Sequence, residues 1–375
     1  GRDMRVDFFR GVALWWIFTD HIPGDVLGDV SLRNFAFCDA TEVFVLLAGY
    51  AGGLVYGRAM DRHGWLYAGA DVVKRAWTLY IAHIFLFVVF AAQVAYSATM
   101  LDRADYLDEI HIDVLAEDPY RALLGALTLQ YQPGYLNILP MYVVLLLIFA
   151  AVLPLLRWPA ILGAASFTLY AAARMIPLHL PSWNGAGWFF NPLAWQLLFV
   201  LGAIFSYARF KPPLAPRVLD VIAAAAVVLG VFLQVLTWPS PGLAAHLPPF
   251  ITNTLLSVDK DSLHPLRLGS ILALTWLVGR MVKPEAGWLR SWWTAPFTLM
   301  GQHSLPVFCA SIGLSFLGRL AMEQDEAVVT QVLVNVGGFA AMTAVGLVTA
   351  WYRIKGQAGS TVQAALPSGG SADTA

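Results

Sequence analysis

The sequence predicts an all-α, polytopic membrane protein, and three observations carry that prediction. Of its 375 residues 58% are hydrophobic and only 13% charged, with a mean hydropathy of +0.65; an average soluble domain carries roughly 25% charge. Apolar runs of about 20 residues, the length a helix needs to cross hydrocarbon, recur along the whole chain. Basic residues collect in every second connection, the positive-inside pattern of a multi-pass protein. The 14 Trp, 13 Tyr and 22 Phe suit interfacial belts and bundle cores.

About ten runs meet the length rule, over 6–22, 38–57, 72–98, 135–156, 159–177, 191–208, 217–237, 263–282, 294–319 and 327–352. The first follows Arg2 and Arg5 and stops at Pro23, and it lacks a small-residue cleavage pattern, so it is expected to be a retained span. The second and third are joined through Arg58, Arg62, Lys74 and Arg75. Arg157 separates the fourth from the fifth, "ARFKPPLAPR" (Ala208–Arg217) the sixth from the seventh, and "RMVKPEAGWLR" (Arg280–Arg290) the eighth from the ninth; "YRIK" (Tyr352–Lys355) ends the tenth. The opposite connections are acidic or neutral: Leu101–Pro119, Pro177–Trp188 and Met322–Ala327. Both termini are therefore expected to be cytoplasmic. Residues 120–131 are too short to cross and are expected to form a re-entrant or interfacial helix. Residues 1–355 read as one transmembrane domain, and 356–375, rich in Gly, Ser and Ala, as a disordered tail.

Several function classes drop out. A net charge of −1 gives no support to nucleic-acid binding, Cys38 and Cys309 are too few for a disulfide framework, and no grouping of His, Cys and carboxylate has metal-ligand spacing. No phosphate-binding glycine loop is present.

The informative residues are polar groups in the wrong solvent, which cost from about 2.5 kcal/mol each and usually face an interior cavity. "FFRGVALWWIFTDHIP" (Phe8–Pro23) places Arg10 near the cytoplasmic end of the first span and Asp20 and His21 near the outer end. In the second, Asp39 and Glu42 are three apart and share a helical face. Asp39 either caps the helix or, like Glu42, lies beside His21; a carboxylate there would fix the imidazole tautomer and leave the other nitrogen as a general base. Asp20, adjacent to His21, points about 100° away on a helix. Lys74 and Arg75 either snorkel to the membrane surface or, with Arg10, grip the phosphates of a cytosolic ligand. "LQYQPGYLNILPMY" (Leu129–Tyr142) gathers Gln132, Tyr135 and Asn137 at a helix break, either as a carbohydrate-binding surface or to satisfy broken backbone. In "LSVDKDSLHPLRL" (Leu255–Leu268), Ser262 caps a helix amid solvated charge, or Lys260 beside Asp259 offers a cation to an anionic substrate. His303, in "GQHSLPVFC", is either structural or substrate-facing. The rival class is a transporter or flippase with a proton-relay histidine, which predicts half-helices or internal repeats; the sequence contains neither.

"RGVALWWIFTDH" resembles the arginine, ten residues, histidine signature of the acyltransferase-3 superfamily, with Arg10 and His21 at the matching positions. More closely, the chain resembles the OpgC family, which succinylates osmoregulated periplasmic glucans, through "DFFRG", "DHIPG", "RNFAFCDATEVFVLLAGY" (Arg33–Tyr50), "QPGYLNILPMY", "NPLAWQLLF", "DKDSLHPLRL" and "GQHSLPVF", in order along the chain. The resemblance implies an O-succinyltransferase of the bacterial inner membrane, with cytosolic succinyl-CoA as donor, no metal, and a periplasmic glucan as acceptor. His21 would be the base, oriented by Asp39 or Glu42, with a covalent acyl-histidine as the other route. Arg10, Lys74 and Arg75 would hold CoA. Arg33, Asn34, Gln132, Tyr135, Asn137, Asp259, Lys260 and His303 would meet the substrates, Arg33 or Lys260 taking the distal carboxylate of succinyl.

Overall fold

A computed structural model describes residues 3–176, 178–208, 214–237, 248–325 and 327–365. Among these every regular element is helical. Six helices are long and apolar enough to cross a membrane: Ala40–His63, Trp65–Leu101, Ile138–Arg157, Pro216–Val235, Ser304–Gln324 and Val328–Lys355. The other expected spans coincide with shorter helices. We label α1 (Met4–Asp20), α2 (Ala40–Gly52, continued by a π turn and Arg58–His63), α3 (Trp65–Leu101), α4 (Ile138–Val152), α5 (Pro159–Met175), α6 (Pro192–Tyr207), α7 (Pro216–Thr237), α8 (Pro265–Met281), α9 (Ala295–Gln302), α10 (Ser304–Gln324) and α11 (Val328–Ala365). The stretch 120–131 contains the short helix Pro119–Leu127. Arg2, Arg209, Lys211 and Glu326 of the loop-charge pattern lie outside the described residues.

Helix α11 continues past the tenth expected span as far as Ala365, and residues 366–375 of the expected tail lie outside the described residues. One of the expectations is corrected. The run 294–319 is not one helix: it breaks at His303 into α9 and α10. The sense of each follows from its contacts. A Cβ on Gly11 would lie 1.9 Å from the Phe297 carbonyl, and one on Gly301 would lie 1.8 Å from the Asp7 carbonyl. These reciprocal contacts make α9 antiparallel to α1. α10 instead rises beside α1, with the Ser315 hydroxyl on the Phe18 carbonyl at 3.1 Å and Gly318 against Ile22. The chain therefore turns back at Gln302–His303, level with the Arg10 end of α1.

Small residues set the other close crossing. Gly49 and Gly53 of the second span face the Phe199 and Ala203 backbone of α6, a small-xxx-small seam of the kind that drives helix packing where no hydrophobic effect acts. α6 starts sharply because Asn191 accepts from the Leu193 N–H at 3.1 Å, with Pro192 in the first turn. This crossing fixes α2, and so the carboxylates at its start.

Candidate active site

The α1 helix ends on His21, and the ring turns back on its own helix: Nδ1 lies 2.5 Å from the Ile17 carbonyl, four residues earlier. A carbonyl only accepts, so Nδ1 carries the proton and Nε2 keeps its lone pair. This corrects the expectation that Asp39 or Glu42 orients the imidazole. The helix supplies the acceptor locally, and both carboxylates are committed elsewhere.

Asp39 caps α2, its Oδ1 accepting from the Thr41 N–H at 2.7 Å, while Glu42 Oε2 accepts from the Asp39 N–H at 2.9 Å: a capping box. The remaining oxygens meet cations. Arg267 of α8 donates to Asp39 at 2.9 Å and to Glu42 at 2.6 Å, and Lys260 reaches Asp39 at 2.6 Å. Glu42 is wholly buried, so such pairing is obligatory. Asp39, Lys260 and Arg33 lie within electrostatic reach of His21.

The loop bearing Lys260 is tied down on two sides. Trp195 Nε1 donates to the Lys260 and Asp261 carbonyls at 3.1 Å, and the Tyr170 hydroxyl to the Leu263 carbonyl at 2.8 Å. Arg174 of α5 donates to both oxygens of Asp259, at 3.0 and 3.2 Å. Burial pushes that carboxyl up, but the Arg174 and Ser262 N–H bonds outweigh it and hold it below the usual carboxylate range. The cap of α8 is His264, whose Nδ1 accepts from the Leu266 N–H, and not Ser262.

Asp20 turns away from His21, as its position on the helix dictates, and takes the Ser31 hydroxyl at 2.5 Å and Arg33 at 3.3 Å. Asn34 donates to the Gly28 and Asp29 carbonyls and Gln132 to the Leu129 carbonyl, so both amides satisfy local loop backbone. Asn137 precedes α4 without a capping bond. Tyr135 lies against His21, ring centroids 4.9 Å apart. Its φ is +70°, a conformation costing a non-glycine residue of order 1–3 kcal/mol.

At the other end of α1, Arg10 and Arg75 line one small cavity of about 40 Å³ with Tyr142, Ser304, Phe44 and Phe308. Arg10 also donates to the Leu47 carbonyl at 3.1 Å. Lys74 is exposed and is not among the lining residues. His303, next to Ser304, belongs to this end, so the structure separates it from His21. Among the described residues no His, Cys, Asp or Glu grouping could hold a metal.

Arg267 and Arg174 escaped the reading of the sequence. Both sit inside expected spans, and a count of intramembrane arginines against intramembrane carboxylates would have found them.

No curated protein and no solved structure matches the chain. A family model described as OpgC protein matches residues 2–354. With that match covering nearly its full length, the chain belongs to the OpgC family.

Proposed function

We propose that this chain is a transmembrane O-acyltransferase that moves a succinyl group from cytoplasmic succinyl-CoA to a hydroxyl of a periplasmic glucan, with His21 as general base. Family membership points to a glucan succinyltransferase. The observation that carries the mechanism is the His21 Nδ1 bond to the Ile17 carbonyl, which leaves Nε2 able to take a proton.

In the proposed step the glucosyl oxygen attacks the thioester carbonyl carbon while Nε2 removes the hydroxyl proton. The tetrahedral intermediate collapses, the C–S bond breaks, and the imidazolium returns the proton to the departing thiolate. A C–O ester bond has replaced the thioester, and the enzyme is unchanged. Arg10 and Arg75 line the donor path, their fixed charge suited to the anionic groups of CoA. Lys260 and Arg33, at the outer end, are the candidates for the distal carboxylate. The proposal places ten helices across a bacterial inner membrane with both termini in the cytoplasm. It also places the family within the acyltransferase-3 superfamily, on the Arg10–His21 spacing.

The test is His21→Ala in purified, folded protein, assayed with radiolabelled succinyl-CoA and glucan. Loss of a positioned base lowers turnover by about 10²–10⁴-fold. Label transfer at the wild-type rate would remove His21 from the mechanism. Mass analysis after donor alone separates direct transfer, with no adduct, from an acyl-histidine route.

A further inference from the structure

Tyr135 occupies the third position of a turn closed by the Leu136 N–H on the Pro133 carbonyl at 3.1 Å. With φ at +70°, that position ordinarily belongs to glycine. Glycine is present one residue earlier, as Gly134, yet the left-handed slot is filled by a tyrosine. Such strain persists only where surrounding contacts hold it, and it clusters at functional sites.

The contacts are specific. The ring lies 4.9 Å from the His21 imidazole, tilted by 48°. Phe90 packs edge-on against it at 5.8 Å. The hydroxyl reaches the His21 carbonyl at 3.4 Å, and the Arg319 guanidinium of α10 lies within electrostatic reach of it. Arg319 is itself clamped by Glu323 at 2.6 Å and by Glu109. The Nδ1 bond of His21 fixes one point of the imidazole; a face packed against the ring is needed to fix its tilt, and with it the direction of Nε2.

We propose that Tyr135 is a positioning residue for His21: its ring sets the tilt of the imidazole, its hydroxyl on the His21 carbonyl sets the ring, and the neighbouring Arg319 charge supports that hydroxyl. This assignment rests on His21 as the base. It gives Tyr135 a task other than contact with the sugar.

The experiment compares Tyr135→Phe, Tyr135→Leu and Arg319→Lys, alone and combined, in purified protein with succinyl-CoA and glucan. Small misplacements of a reacting group cost up to about 100-fold in rate. Tyr135→Leu is therefore expected to lower kcat by roughly that factor with KM for both substrates within about twofold. Tyr135→Phe keeps the ring and is expected to lose about tenfold or less. Arg319→Lys, which retains a cation for Glu109 and Glu323, is expected to match Tyr135→Phe and to add nothing in the Tyr135→Phe background. A raised KM for glucan at unchanged kcat would overturn the proposal in favour of a sugar contact. Additive losses, or losses that track the folded fraction, would overturn it in favour of a structural role. His21→Ala in the same assay keeps the two readings apart. If it is inactive while Tyr135→Leu is fully active, only the positioning role fails; if it is active, the base assignment fails as well.

Discussion

Arg267 shows how a buried charge is made tolerable. Its side chain is 13% exposed and holds Glu42, which is wholly buried, and Asp39 at 11%. Deleting one partner of a buried pair leaves the other charge uncompensated and costs about 3–5 kcal/mol. Arg267→Met is therefore expected to lower the thermal midpoint sharply, or to prevent recovery of folded protein in detergent. Lys260→Met is expected to be far milder. Its side chain is 30% exposed, and Asp39 keeps Arg267 and the Thr41 N–H. If Lys260 meets the distal carboxylate of succinyl, the same variant shifts donor preference towards acetyl-CoA at nearly unchanged stability, in a competition assay with both donors; an unshifted ratio would clear Lys260 of that role. The sequence made the carboxylates legible, because three-residue spacing puts Asp39 and Glu42 on one face. It left their partner hidden, because spacing along one helix says nothing about which distant helix faces it. The imidazole bond was hidden for the opposite reason: its acceptor is not a distant carboxylate but a backbone carbonyl one turn back.

At the scale of elements, the α1–α9 crossing fixes the Arg10 end of the site. Gly11 and Gly301 let the two backbones meet, and a side chain at either would strike a carbonyl, not a movable side chain. Overpacking costs typically 1–3 kcal/mol, occasionally more. Gly301→Val is expected at or above the top of that range, with loss of transferase activity as α1 and Arg10 shift. Gly269→Ala on α8, with open space around it, is the matched control and is expected to leave the melting temperature within about 1 °C. A Gly301→Val protein that melts and turns over like wild type would mean that the crossing is looser than its contacts imply. The hairpin itself was legible only in part. The run 294–319 is apolar throughout, so hydropathy joins it into one span. Pro306 was the available signal: proline sits in the first turn of a helix far more readily than in its interior, and here it is the third residue of α10.

On the scale of the whole molecule, α1 links two unlike polar regions. Arg10 and His21 are eleven residues apart, about 16 Å of helix rise. One end opens to a cavity bearing two guanidiniums, the other to a charge-balanced network beside an imidazole with a free lone pair. The helices themselves were legible because a continuous apolar run of membrane length has few other solutions; the two polar regions were not, since they arise from which helices pack together. In the orientation proposed from loop charge, with the Arg10 end inward, transfer is vectorial. Sealed inverted vesicles, cytoplasmic face outward and loaded with glucan, are expected to label the enclosed glucan when radiolabelled succinyl-CoA is added outside. Right-side-out vesicles given the same external donor and external glucan are expected to stay unlabelled until permeabilised. Arg75→Ala in the inverted vesicles is expected to raise the concentration of succinyl-CoA needed for half-maximal labelling, about tenfold for a lost charge-assisted contact, without changing the dependence on glucan. Labelling by intact right-side-out vesicles would place donor and acceptor on one side and reverse the role assigned to the Arg10 cavity.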